Sequence, residues 1–162
     1  MYQGLINHKM HIKYSQPLHY NLLVGEHKID LNKIIGKNIL LRWKGVVRCI
    51  CGKDFKKFYR QNFCYQCFWN APEASPSIFK PELCTADLGI EDRDLEWEKK
   101  FQLAPHYVYF ANTSGLKVGV TRKNNELARW MDQGAIQAIV IAELPNRRMA
   151  GQLEVVFKKY LA

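Results

Sequence analysis

Hydrophobic and polar positions alternate most clearly in the last third of the chain. Tyr107–Ala111 and Leu116–Thr121 each repeat with period two, and Asn112-Thr113-Ser114-Gly115 lies between them, so the pattern predicts a β-hairpin. A three-residue loop, Thr113–Gly115, puts glycine where the left-handed conformation is needed. That loop sets the register, with Asn112 opposite Leu116, Tyr109 opposite Gly119 and Ala111 opposite Lys117. Val108, Phe110, Leu116, Val118 and Val120 then share an apolar face, and Tyr107, Tyr109, Lys117 and Thr121 a polar one. Beyond the hairpin, Leu127, Trp130 and Met131 at i, i+3, i+4 predict a helix over Glu126–Gln133, capped by Asn124 or Asn125 and ended by Gly134. Arg129 lies off that stripe and can lean toward the hairpin. Ile136–Leu144, short and β-branched, predicts a third strand. Pro145-Asn146 opens a last helix with Ala150, Leu153, Phe157, Tyr160 and Leu161 as its buried face; Glu154 is placed on the polar flank, one turn from Lys158. The chain reaches Leu161-Ala162 without a C-cap, which reads as a trimmed C-terminus.

Patterning is weaker before residue 106. Tyr2–Tyr14 and Pro17–Val24 carry scattered alternation around a Ser15-Gln16-Pro17 turn. Asp30 can cap a single helical turn, Leu31–Ile35, stopped at Gly36, and Asn38–Val47 reads as a strand. These pieces predict a small antiparallel β lobe over 1–48. Asn70–Ser77, with two prolines and small polar residues, is the best linker in the chain, and the acidic run Glu91–Glu98 predicts a solvated helix. The expected organisation is α+β: the β lobe, cysteine knuckles over 49–69, a linker with an acidic segment over 70–105, and a ββαβα domain over 106–162.

Charge sharpens this division. The chain of 162 residues has a formal net charge of +9, but residues 1–70 hold twelve Lys/Arg against three Asp/Glu, residues 71–105 four against eight, and residues 106–162 eight against four. An excess of this size favours a polyanionic partner, because Lys and Arg that neutralise phosphates release condensed counterions. The cations also lie among rings: Arg42, Trp43 and Lys44, then Lys53, Phe55, Lys56, Lys57, Phe58, Tyr59 and Arg60. Cations that track a backbone and rings on which bases stack are the ingredients of nucleic-acid binding. Lys53, Lys56, Lys57 and Arg60, with Arg122 and Lys123 after the hairpin, are therefore the candidate contacts to DNA or RNA. The competing reading makes the rings core and the lysines solubilising. No apolar run approaches the roughly 20 residues needed to cross a bilayer, and Met1–Met10 has no secretory-leader pattern. The expectation is a soluble cytoplasmic protein with no membrane partner and no small-molecule cofactor.

Four of the five cysteines form Cys49-x-Cys51, twelve residues, then Cys64-x-x-Cys67. Two close pairs at this separation can bring four thiolates to the corners of a tetrahedron around Zn²⁺, and a site closed by four cysteines is structural. Gly52 suits the tight turn after the first pair. The one-residue gap at Ile50 makes Cys49 the least secure ligand, with Cys84 the alternative. His8, His11, His19 and His27 are not at ligand spacing, and buried or disulfide-bonded cysteines are the plainer reading.

The order strand, hairpin, strand, helix, strand, helix, with Tyr-Val-Tyr, Lys-Val-Gly, Arg129 and Glu154 at those places, resembles the GIY-YIG nuclease domain. The resemblance implies a metal-dependent phosphodiesterase site. Tyr109 matches the first-motif tyrosine, Arg129 the helix arginine and Glu154 the metal-binding glutamate, with Mg²⁺ or Mn²⁺ as the catalytic ion. Lys117 stands where the second motif has tyrosine. In that scheme Tyr109 has a lowered pKa and acts as general base. The alternative is a catalytically inactive module of the same fold that binds nucleic acid or a ribonucleoprotein. The whole chain resembles the bacterial family DUF2797 more closely, through F-C-Y-Q-C-F, K-P-E-L-C-T-A-D-L-G-I-E-D-R-D-L-E, H-Y-V-Y-F-A-N-T-S-G-L-K-V-G-V-T-R and R-W-M-D-Q-G-A-I-Q-A. This second resemblance implies a metal ribbon joined to a GIY-YIG-like domain, in members that continue past residue 162.

Overall fold

Strands in the first 67 residues are short. A computed structural model describes residues 1–6 and 8–161, and the chain divides into two units, Met1–Cys67 and Phe68–Ala162. In the first unit β1 (His11–Lys13), β2 (His19–Val24) and β3 (His27–Asp30) form an antiparallel sheet in that order. The β2–β3 hairpin, absent from the sequence reading, turns through Gly25 and Glu26. Gly25 has φ 57°, as a two-residue turn with glycine first requires. The Asp30 carboxylate accepts the Asn32 N–H at 3.0 Å and starts a 3₁₀ turn, Asn32–Ile34. Asn32 ties that turn to the sheet, accepting from the Tyr20 N–H and donating to the Leu18 carbonyl.

The strand expected over Asn38–Val47 does not form. Residues 38–46 have no regular structure, and only β4 (Val47–Arg48) pairs, with β5 (Asp54–Phe55). Its side chains favour extended backbone, but among the described residues no strand pairs with 38–46 to take its backbone N–H and C=O groups, and Gly45 at φ 80° breaks the run. α1 (Tyr65–Asn70) follows the second cysteine pair, and the division between the units falls inside it.

In the second unit the stretch read as a linker is folded. Residues 72–74, 81–83 and 86–88 are 3₁₀ turns, and α2 (Pro76–Phe79) and α3 (Leu95–Gln102) lie among them. Pro72, Pro76 and Pro81 each stand at the start of a turn or helix, where proline loses no hydrogen bond and its φ is already correct. Ser75 and Ser77 are buried; Ser75 accepts the Ser77 N–H and its hydroxyl bonds the Asp92 carboxylate. The acidic helix is not simply solvated. Asp94 caps it through the Trp97 N–H, and the wholly buried Glu98 carboxylate accepts the N–H groups of Asp92, Arg93 and Asp94.

The remainder has the order ββαβα: β6 (His106–Asn112), β7 (Leu116–Arg122), α4 (Glu126–Asp132), β8 (Gln137–Leu144) and α5 (Arg147–Lys158). The sheet runs β7-β6-β8, antiparallel throughout. The hairpin register is the expected one, including Tyr109 opposite Gly119 and Ala111 opposite Lys117. On the β8 side a bulge falls between Val108 and Tyr109. Gly134, at φ 64°, ends α4: Ala135 N–H bonds Trp130 O and Gly134 N–H bonds Met131 O, satisfying two last-turn carbonyls. Trp130 and Met131 are half-buried as expected, whereas Leu127 is exposed. Asn146 caps α5 through the Met149 N–H. The α5 face differs from expectation. Ala150 is buried as expected, but so are Arg147, Gly151 and Glu154, the last placed on the polar flank by the sequence, while Tyr160 is 81% exposed. Gly151 lies directly against the backbone of Pro81 and Glu82, so the smallest residues of α5 face inward. Phe157 meets Phe110 edge-on at 5.2 Å. Among the described residues no helix is long and apolar enough to cross a membrane.

Candidate functional site

Two turns build the cysteine centre. In the first, the Gly52 N–H bonds the Cys49 carbonyl at 2.9 Å and the Cys49 N–H bonds Lys53 O at 3.0 Å, with Gly52 at φ 80°. In the second, Gln61 and Asn62 both take positive φ, 48° and 67°, between the paired Arg60 and Phe63, the geometry of a two-residue hairpin turn. The chain is thereby folded back so that the Cys64 N–H points at Cys49 Sγ, 3.2 Å away.

The Sγ atoms of Cys49, Cys51, Cys64 and Cys67 lie within 4.8 Å of one another. Tetrahedral coordination at about 2.3 Å needs sulfurs roughly 3.8 Å apart, so a small contraction closes the set on an ion. All five cysteines are free thiols. The cluster therefore includes Cys49, and Cys84 is not part of it. Cys84 is buried in the other unit, its Sγ 4.0 Å from Ser77 O and beside Arg147. Burial opposes a thiolate at Cys49, but the N–H groups of Cys51 and Cys64 and the neighbouring thiols bring it down to about 6. Cys67 is pushed up to about 12 by burial and by the other three cysteines. Four thiols this close cannot all ionise unless a cation enters among them; soft sulfur donors in a closed tetrahedron suit Zn²⁺.

Lys53, Lys56, Lys57 and Arg60 are all exposed beside this centre. The rings divide. Phe63 is core, while Tyr59 and Tyr65 are 44% and 62% exposed, edge-on to each other at 5.0 Å, with the Arg60 guanidinium 5.8 Å from the Tyr59 ring. Arg122 and Lys123 already have partners within the second unit: Arg122 lies 5.2 Å over Phe101, and Lys123 pairs with Glu143 at 2.7 Å.

On β6, Tyr109 is 1% exposed. Its ring covers Gly119, where a Cβ would come within 2.6 Å of the phenol. The hydroxyl donates to Gln133 Oε1 at 2.9 Å and is hydrogen-bonded to Arg129, and Glu154 lies within electrostatic reach. Glu154 is buried and pairs with Lys158 at 3.2 Å. Lys117 is exposed opposite Ala111, and its side chain makes no hydrogen bond or ion pair among the described residues. Tyr109, Arg129 and Glu154 are thus brought together and Lys117 is not joined to them. The expected lowering of the Tyr109 pKa is reversed: burial raises it, outweighing Arg129 and Gln133.

Two residues of this region were missed from the sequence. Gln133, at the end of α4, carries no local signal because its partner is 24 positions away. Arg147 is buried at the start of α5, donating to Ile78 O at 2.7 Å and lying 5.1 Å over Phe101; burial lowers its pKa, opposed by Cys84 and Glu154. An arginine in the first turn of a helix, where the dipole disfavours a cation, was the available sign.

The chain is thus a mixed α+β protein with small antiparallel sheets and a four-cysteine centre able to hold a metal ion. Residues 36–162 match the family described as protein of unknown function (DUF2797), and the chain belongs to that family. No curated protein and no solved structure matches it.

Proposed function

We propose that this DUF2797 protein is a zinc-stabilised nucleic-acid-binding protein whose ββαβα unit is a GIY-YIG-type module. The observation that carries the reading is the exposure of Lys53, Lys56, Lys57 and Arg60, with Tyr59 and Tyr65, around the cysteine centre. A metal-held turn presents cations and rings at fixed positions, and phosphate contact with base stacking is what such a surface does. Zinc is structural in this reading: the four cysteines fill its coordination shell.

A second reading adds metal-dependent phosphodiester hydrolysis in the ββαβα unit, favoured by the meeting of Tyr109, Arg129 and Glu154. Glu154 would hold Mg²⁺ or Mn²⁺, and the bound ion would supply Lewis acidity. Arg129 would offer its fork of donors to the phosphate oxygens. Tyr109, kept protonated by burial, would donate a hydrogen bond and take no proton. Lys117 has no role in it.

Incubating the full-length protein with labelled DNA and RNA in Mg²⁺, Mn²⁺ or EDTA tests both. Binding with no cleavage in Mg²⁺ or Mn²⁺ leaves the module silent. Cleavage lost in Glu154→Ala and Arg129→Ala establishes the second reading. Absence of binding at low salt overturns the proposal.

A further inference from the structure

The sheet of the second unit has two edges, and they are protected differently. Among the described residues β7 and β8 each pair with β6 alone. An edge strand turns half of its N–H and C=O groups outward, and lysines, other charges or a proline along it discourage a further strand from adding. β7 carries Lys117 and Arg122. β8 has no basic residue and no proline, and its one charge, Glu143, is held by Lys123 at 2.7 Å. Its middle, Ala138–Ala142, is an unbroken apolar run. Ile139 is 62% exposed, and Ile136, just before the strand, 78%.

The order of residues along this edge indicates which strand fits it. From Ile136 to Leu144 the chain reads I-Q-A-I-V-I-A-E-L, the same in chemical class from either end. In an antiparallel pair related by a two-fold axis at Val140, each residue meets the one equally far beyond the centre in the other copy. Val140 then lies opposite itself, Ile139 opposite Ile141, Ala138 opposite Ala142 and Ile136 opposite Leu144. Gln137 lies opposite Glu143 and can donate its amide N–H to that carboxylate. Directly opposite residues share a face, so apolar side chains meet apolar ones throughout and the polar pair falls near each end. A contact of this kind uses the same surface on both copies.

The bulge between Val108 and Tyr109 leaves Ile141 without a partner on β6. A bulge raises the local twist and limits the ladder that can form outside it, which makes the pairing reversible. Val140 lies on the face of Tyr109 and Glu143 on that of Tyr107. On that face an open groove of about 570 Å³ runs between α4 and β8, lined by Leu127, Trp130 and Val140 among others; a second β8 extends its floor.

We infer that the protein forms a two-fold dimer by antiparallel pairing of β8 with β8 of a second copy, centred on Val140, so that two three-stranded sheets become one. The inference concerns this edge and is independent of the nucleic-acid reading.

Sedimentation equilibrium of the full-length zinc-loaded protein tests it. The mass is expected to rise reversibly with concentration from one chain to two and no further. Ile139→Lys, present twice in each dimer, should weaken association roughly tenfold. Leu116→Lys, on an exposed residue of the other edge, should change it by less than about twofold. Circular dichroism and thermal unfolding of the monomeric state show whether either variant is misfolded, and Ala138→Lys replaces Ile139→Lys if it is. Isotope-filtered NMR on a mixture of labelled and unlabelled chains reads the register. Methyl contacts between chains are expected for Val140 with Val140, Ile139 with Ile141 and Ala138 with Ala142. A mass that stays at one chain up to about 1 mM overturns the inference. So does a dimer that Leu116→Lys disrupts and Ile139→Lys does not, or one whose contacts between chains lie outside β8. A β8 dimer with another register overturns the pairing centred on Val140.

Discussion

Gly119 has no side chain because the Tyr109 ring occupies the place where one would be. A Cβ there would lie 2.6 Å from both the phenol carbon and its oxygen. Gly119→Ala should therefore push the ring off its seat and break its bonds to Gln133 and Arg129, at a cost of about 1–3 kcal/mol as for other overpacked positions. Chemical denaturation measures that loss, and the near-ultraviolet signal of Tyr109 and Trp130 should change with it. An unchanged midpoint would mean that the strand absorbs the methyl group. The cysteines make a paired prediction. Cys67→Ser should remove zinc and unfold the turns over 49–64, because coordination energy is largely folding energy in so small a lobe. Cys84→Ser should keep the full zinc content, since its thiol sits by Ser77 and Arg147 in the other unit. Metal analysis of the two purified variants decides the ligand set.

At the scale of an element, α5 shows packing overruling propensity. Glycine inside a helix costs about 1 kcal/mol relative to alanine, so Gly151→Ala would stabilise an isolated α5. In the folded unit the added methyl would strike the Glu82 nitrogen and the Pro81 carbonyl carbon, both backbone atoms that cannot rotate away. The clash outweighs the propensity gain, and the variant should lose about 2 kcal/mol net. Hydrogen exchange should rise first in 81–83. Equal or greater stability would mean that this turn is not held against α5. The same contact explains why the buried face of α5 is wider than periodicity predicts and takes in Glu154. Periodicity named Ala150, Leu153, Phe157, Tyr160 and Leu161, of which Ala150 is buried and Leu153, Phe157 and Leu161 are half-buried; close backbone approach also turned Gly151 inward and carried Glu154 with it.

Over the whole molecule, charge is the feature with the longest reach. Lys56→Glu, Lys57→Glu and Arg60→Glu together should weaken nucleic-acid binding for every sequence and lower the slope of log K against log salt by about 2–3, the loss of three phosphate contacts. Unchanged affinity and slope would move the contact surface away from the cysteine turns. What the amino-acid order determined alone is local: the Thr113–Gly115 loop and its register, the Gly134 and Asn146 helix ends, and the cysteine spacing, each set by a few neighbouring residues through backbone conformation and side-chain alternation. Other choices needed the tertiary structure. Residues 38–46 have strand composition but, among the described residues, pair with no strand. The prolines of 72–81 start turns once Ser75 and Ser77 are buried beneath them, and Glu98 becomes a buried acceptor because three backbone N–H groups converge on it. Tyr109 sits on the face that alternation marked as polar, yet α4 and Gln133 cover it, and burial then outweighs Arg129 and raises its pKa. In each case the deciding partner is distant in sequence, so no window of neighbouring residues contains the free energy that settles the outcome.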